Sequence, residues 1–223
     1  MKCKRIAAAL AALLLAVTAG FAVPGRALAA AYHSEVRVLL SIGKKTALAF
    51  TPVGDFTLKE APNLKLPEEE LTIRVVGGRV SLTVGETTLT APSLTLVNGN
   101  YGASDKSAYI RLKNSEHGTC TYLGNITFDA RAGALRAINT LPVEEYLYGV
   151  VPNEMSNSFP LDALKAQAVC ARSYAMAKCS RYAGRTYDLG DTSNDQVYAG
   201  YASRNARAIA AVVGAIGPDL WGG

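Results

Sequence analysis

The side-chain pattern changes period at Leu141, and that change limits the folds open to the chain. Upstream, residues 35 to about 140 carry short β-rich runs punctuated by glycine and proline. The clearest is Leu71 to Val76, then Gly77-Gly78, then Arg79 to Val84, two strand-like runs around a hairpin turn. The stretches Glu35 to Ile42, Thr87 to Val97, Ala108 to Leu112, Tyr122 to Phe128 and Leu135 to Ile138 continue the pattern. Pro52, Pro62, Pro67 and Pro92 interrupt it. The acidic run Glu68-Glu69-Glu70 after Pro67 is a solvated turn.

Downstream the pattern is helical. Pro142 to Val151 reads as a short helix with proline early and Gly149 at its end. Pro160 opens a long helix to about Tyr182, where alanine at 163, 166, 168, 171, 175 and 177 favours helix and allows close approach of a neighbour. A last helical stretch covers about Arg204 to Val213. The expected class is α+β, an antiparallel β scaffold followed by a mainly helical segment. The expected division is a signal peptide over 1–29, a β-rich part over 30–138 and a motif-bearing part over 139–223.

The first residues favour export. Lys2, Lys4 and Arg5 precede an apolar run from Ile6 to Val23, and Ala27-Leu28-Ala29 fits a small-x-small cleavage site. Gly20, Pro24 and Gly25 break the run, which argues for cleavage over a retained anchor. Cleavage would also remove four of the chain's 23 basic side chains, Arg26 being the fourth, and leave near-parity with the 18 acidic ones. The pI near 9.0 thus belongs largely to the targeting segment and gives no warrant for nucleic-acid binding. Cys120, Cys170 and Cys179 would remain, too few for a disulfide-built scaffold. His117 and Cys120 have a ligand-like spacing, but Cys170 and Cys179 point about 180° apart on one helix, so neither a metal nor another cofactor is expected.

Within the long helix, stepping about 100° per residue from Leu161 gathers Leu164, Ala168, Val169, Ala175, Met176 and Cys179 into one stripe. Arg172 falls near its centre, Lys165 within it and Gln167 well off it. A guanidinium facing a core needs a partner. Either Arg172 pairs with a carboxylate for structure while Lys165 reaches out to solvent, or both line a cleft beside a carboxylate or an anionic substrate. Helix geometry alone favours the first. Upstream stands Glu154, a carboxylate among Val150, Val151, Met155 and Phe159. An apolar setting of that kind suits a general acid, whereas a mere capping role is the bland alternative.

The ordered series Asn139 to Met155, then Ala163 to Tyr174, then Asp195-Gln-Val-Tyr-Ala-Gly200 resembles the SpoIID/LytB domain, the family of stage II sporulation protein D and the amidase enhancers. Tyr122-Leu-Gly124 resembles that family's earlier strand motif. The resemblance implies action on peptidoglycan glycan strands, with sporulation-type members acting as lytic transglycosylases on strands stripped of stem peptides. It places the family's catalytic glutamate on Glu154 and its arginine on Arg172, the latter as an orienter of Glu154. Lys165, Gln167, Gln196 and Tyr198 follow as substrate-binding candidates. One carboxylate suffices for such chemistry, because the sugar's own 6-hydroxyl attacks; ordinary hydrolysis would need a second, for which Asp191 and Asp195 are candidates. The loop Asp191 to Gln196 lacks the His-Cys pair of sporulation-type members and stands closer to the amidase-enhancer branch. That branch implies an N-acetylmuramoyl-L-alanine amidase as partner and a non-catalytic role as the alternative. The family's domain runs on past its last helix, so the ending at Gly223 implies a shortened C-terminal part in which Trp221 is incidental.

Overall fold

The computed structural model describes residues 34–216. The expected export signal and Trp221 lie outside the described residues. Thirteen strands and three helices follow one another along the described chain. They are β1 (Glu35–Leu40), β2 (Ala47–Val53), β3 (Phe56–Leu58), β4 (Ala61–Lys65), β5 (Leu71–Val76), β6 (Arg79–Val84) and β7 (Thr87–Ala91). Next come β8 (Ser93–Asn98), β9 (Tyr109–Asn114), β10 (Gly118–Tyr122), β11 (Asn125–Arg131) and β12 (Ala134–Pro142). The helices are α1 (Val143–Glu154), α2 (Leu161–Arg181) and, after the two-residue β13 (Leu189–Gly190), α3 (Ala206–Gly214). The class is α+β.

The strands form two sheets, ordered β13-β1-β12-β11-β8-β3-β4 and β10-β9-β2-β5-β6-β7. Every pairing is antiparallel except the short parallel bond of β1 with β13. Burial alternates along β1, β2 and β8, as expected when one face of a sheet meets a core. The inward faces meet: Phe50 of β2 and Phe128 of β11 lie 5.6 Å apart, and Val36, Leu58, Ile73, Leu82, Leu94 and Ile110 are fully enclosed. The helices extend this same core, through Leu147, Val150 and Val151 of α1, Leu164 and Ala168 of α2 and Val212 of α3.

Several expected runs are divided differently. Thr87 to Val97 is cut at Pro92 into β7 and β8, which belong to different sheets, whereas Pro52 and Pro62, expected as interruptions, lie within β2 and β4. Tyr122 to Phe128 is split at Gly124 (φ 74°), where a Cβ would lie 2.4 Å from the Thr140 carbonyl oxygen. The first helix runs on past Gly149 and through Pro152, so Glu154 is its last residue rather than part of a turn. In α2 the enclosed residues are Leu164, Ala168, Ala171, Arg172, Ala175 and Cys179. Leu161 and Val169, placed in the apolar stripe on sequence, are exposed. The true stripe is centred about 30° from Leu161, which puts Arg172 at its margin, where α1 can meet it.

Candidate functional site

Three segments converge on a shallow groove of about 290 Å³: the end of α1 with Glu154, the α2 face bearing Gln167, Cys170, Ala171 and Tyr174, and the loop residues Asp195 and Gln196. On α2 the spacing 167, 170, 171, 174 is that of one helix face. Reading the helix outward from Gln167 rather than inward from Leu161 exposes this face in the sequence.

Glu154 is exposed. Its Oε1 accepts a hydrogen bond from the Val197 N–H at 2.9 Å, which ties the end of α1 to the loop and fixes the carboxylate at the groove. Oε2 has no hydrogen-bond partner among the described residues. The apolar surround expected for this carboxylate does not form: Phe159 is 47% exposed and Met155 is half-buried. The helix ends here, so these side chains splay around its terminus instead of closing over it.

The hydrogen bonds described for Arg172 go to Glu144 and Val212, and none goes to Glu154. The guanidinium donates from Nε and Nη2 to the two oxygens of Glu144, both at 2.7 Å, and from Nη2 to the Val212 carbonyl at 3.4 Å. This bidentate pair joins α1, α2 and α3, and Arg172 is only 7% exposed. Lys165 is not in the groove either. It lies about 160° around the helix from Gln167, packs towards Gly214 of α3 and sits 3.6 Å from Asp162.

Gln167 and Gln196 do line the groove. Gln196 is 7% exposed and already engaged: its Oε1 accepts from the Tyr146 hydroxyl at 3.2 Å and its Nε2 donates to the Ala171 carbonyl at 3.5 Å. Tyr198 is a core residue. Its ring lies between Tyr122 and Tyr146, and its hydroxyl donates to Asn139 Oδ1 at 2.8 Å. In an extended loop, side chains alternate in and out, so Gln196 and Tyr198 both point inward.

The two loop carboxylates differ sharply. Asp191 is fully buried and accepts from the Ser41 N–H and hydroxyl and from Asn114 Nδ2. It is an anchor for the loop. Asp195 lines the groove. Its Oδ1 accepts from Lys178 Nζ at 2.5 Å and the Tyr174 hydroxyl at 3.2 Å, and its Oδ2 accepts from the Gly190 N–H at 2.8 Å. Partial burial raises its carboxyl pKa, but the Gly190 N–H and the Lys178 ammonium outweigh that and hold it below the usual carboxylate range. The same pair raises Lys178 above its ordinary value, chiefly through the hydrogen bond to Asp195. Tyr174 and the Lys178–Asp195 pair went unnoticed in the sequence.

His117 and Cys120 are spent locally. His117 Nε2 lies 3.0 Å from the Asp191 carbonyl oxygen, and Cys120 Sγ faces the carbonyls of His117 and Gly118. Cys120, Cys170 and Cys179 are free thiols. Burial raises Cys120 and pushes Cys179 up to about 12, whereas Cys170 is exposed in the groove.

Comparison with known proteins gives this arrangement a context. Residues 131–216 match the model of the SpoIID family, described as stage II sporulation protein. An uncharacterized protein of Brachyspira hyodysenteriae is 40% identical over 85 residues, covering 38% of this chain and 23% of that protein. The amidase enhancer of Bacillus subtilis is 50% identical over 56 residues, covering 25% of this chain and 7% of its own length. The chain thus spans less than a quarter of the length of either relative. No solved structure matches.

Proposed function

We propose, from the match of residues 131–216 to the SpoIID family model, that this chain acts outside the cytoplasm on bacterial peptidoglycan, as a lytic transglycosylase with Glu154 as its acid/base. The observation that carries this reading is a single unpaired carboxylate oxygen, Glu154 Oε2, held at an open groove with polar walls. Glu154 would protonate the glycosidic oxygen and then accept the proton of the 6-hydroxyl as that oxygen attacks the anomeric carbon. The C–O bond to the leaving sugar breaks, an intramolecular C–O bond forms, and the muramoyl product is a 1,6-anhydro ring. Gln167 and Tyr174 would contact the sugars.

A one-carboxylate mechanism fits the neighbours. Asp191 is sealed from water, and Asp195 is bound to Lys178, Tyr174 and Gly190. Neither is free to activate water or to serve as a nucleophile, as two-carboxylate hydrolysis requires. Arg172 acts through helix packing.

A second reading is favoured by the 50% identity to an amidase enhancer. Here the groove binds glycan without cutting it, and the protein raises the rate of a separate N-acetylmuramoyl-L-alanine amidase. Digestion of stem-peptide-free glycan strands, followed by mass spectrometry, separates the two. Transglycosylation gives anhydro-muramoyl ends that disappear in Glu154→Gln. Enhancement gives sacculus binding and a faster amidase with no new ends. Reducing ends would show ordinary hydrolysis and overturn the mechanism.

A further inference from the structure

A second hollow, of about 270 Å³, opens beside β9, β10 and the turn that leads into α3. Tyr109, Thr121, Tyr201, Ala202, Ser203 and Arg204 line it, with no carboxylate among them. Its rings are firmly placed. Gly200 (φ 74°) sits so close to β10 that a Cβ would lie 2.3 Å from the Thr121 carbonyl oxygen, and the Tyr201 N–H donates to that same oxygen at 2.7 Å. Tyr201 also packs against Tyr148 at 6.4 Å. Across the hollow, the Arg111 guanidinium lies 5.8 Å from the Tyr109 ring centroid and Arg111 Nη2 donates to the Tyr109 hydroxyl at 3.4 Å. Arg204 is exposed at the rim, and among the described residues it has neither an ion pair nor a hydrogen bond.

This hollow and the Glu154 groove share one segment of chain. From 195 to 201 burial alternates: Asp195, Val197, Ala199 and Tyr201 are partly exposed, while Gln196, Tyr198 and Gly200 are buried. The outward side of the segment thus runs from the groove to the hollow. Tyr201 lies four positions after Val197, which holds Glu154, so the two are at most about 14 Å apart along the backbone. A linear polymer laid along this segment would meet both. Aromatic rings beside an unpaired guanidinium suit a sugar face and a carboxylate.

We propose that the hollow around Tyr109, Tyr201 and Arg204 is a second glycan subsite, in which Arg204 binds the lactyl carboxylate of a muramic residue. The proposal rests on the peptidoglycan reading above. It gives the protein a grip on strand chemistry a short distance from the bond at Glu154, and a reason to distinguish muramic-containing strands from neutral polymers of N-acetylglucosamine.

The test is calorimetric titration of the full chain, in a Glu154→Gln background that halts turnover. The probes are a peptide-free GlcNAc–MurNAc tetrasaccharide, the neutral chitotetraose and the same tetrasaccharide bearing stem peptides. Arg204→Gln should weaken the peptide-free muramic ligand about tenfold, the scale of one charge-assisted hydrogen bond. It should leave chitotetraose binding and the melting temperature unchanged. Arg111→Gln, one step removed from the pocket, should cost less. Unchanged affinity of Arg204→Gln for the muramic ligand would overturn the subsite while leaving the peptidoglycan reading intact. An Arg204 effect confined to the peptide-bearing ligand would also overturn it, by moving the carboxylate to the stem peptide. If the background protein binds none of the three, the peptidoglycan reading falls and takes the subsite with it.

Discussion

Removing Glu144 should destabilise the protein more than any change in the groove, because its partner Arg172 is a nearly buried charge at the meeting point of the three helices. The ion pair is bidentate at 2.7 Å on both arms, with side-chain exposures of 8% for Arg172 and 18% for Glu144. Breaking a buried pair by deleting one partner typically costs about 3–5 kcal/mol, since the survivor keeps its desolvation and loses its counter-charge. The residual exposure of Glu144 argues for the lower end, so Glu144→Gln should cost about 3 kcal/mol, or about 6–12 °C in melting temperature for a domain of this size. Arg172→Met should cost less. It leaves Glu144 beside a cavity of about 670 Å³ that Glu144 itself lines, where water can solvate the carboxylate. The assay is urea unfolding of both single variants and the double variant. A coupling energy above about 1 kcal/mol marks a direct structural pair. Arg172→Lys keeps the charge but not the two-pronged geometry and should recover only part of the loss. The reasoning is refuted if Arg172→Lys folds as stably as the parent yet loses anhydro-muramoyl product, for then the guanidinium would serve the reaction and not the packing.

At pH 8, iodoacetamide should modify Cys170 and spare Cys120 and Cys179 in the folded protein, with peptide mapping as the readout; equal labelling of Cys179 would contradict its burial and its thiol pKa near 12. A maleimide adduct at Cys170 should block glycan digestion, since that side chain lines the groove. Gly200→Ala should cost well over 1 kcal/mol by thermal melting, from both its positive φ and the Thr121 carbonyl in the way; a neutral result would mean that the loop lies elsewhere. Asp195 has a folded-state pKa below its unfolded value, so its stabilising contribution is present above about pH 4 and is lost as pH falls through the lower folded value. Urea midpoints of wild type and Asp195→Asn should therefore converge towards pH 2 and separate above pH 4, and parallel profiles would show that Asp195 is not held as described.

What could be read in the chain before folding depended on how local the determinant was. The Gly77-Gly78 hairpin was plain, because two β-rich runs and their turn lie within fourteen residues. Strands β2, β3 and β4 were not: β3 has three residues, β4 is mostly exposed, and their partners β8, β9 and β5 are distant or out of order. Such pairings are specified by the opposite sheet and leave little periodic trace. Glu154 and Gln167 are singled out by motif, and the structure brings both to the lining of one groove. Tyr198 belongs to the motif yet lies in the core, because a motif says that a residue is needed but not whether it touches ligand or core. Arg172 carried a sounder signal. Its position near an apolar stripe demanded a partner, and the partner is a carboxylate, although 28 residues upstream and not Glu154.

The site loop is held by parts of the chain that lie outside the family match. Asp188 accepts from the Arg37 backbone and guanidinium on β1. Asp191 is bound by Ser41, beyond β1, and by Asn114 at the end of β9. Tyr201 hangs on Thr121 of β10. Four of these residues, Arg37, Ser41, Asn114 and Thr121, precede residue 131, where the SpoIID match begins. These anchors add to the bonds the loop makes within the match, from Asp195 to Lys178 and from Gln196 to Tyr146 and Ala171. The β half is therefore the mould in which the groove is set. Segment 131–216 carries Glu154, and the strands before it help to place the loop that Glu154 meets at Val197.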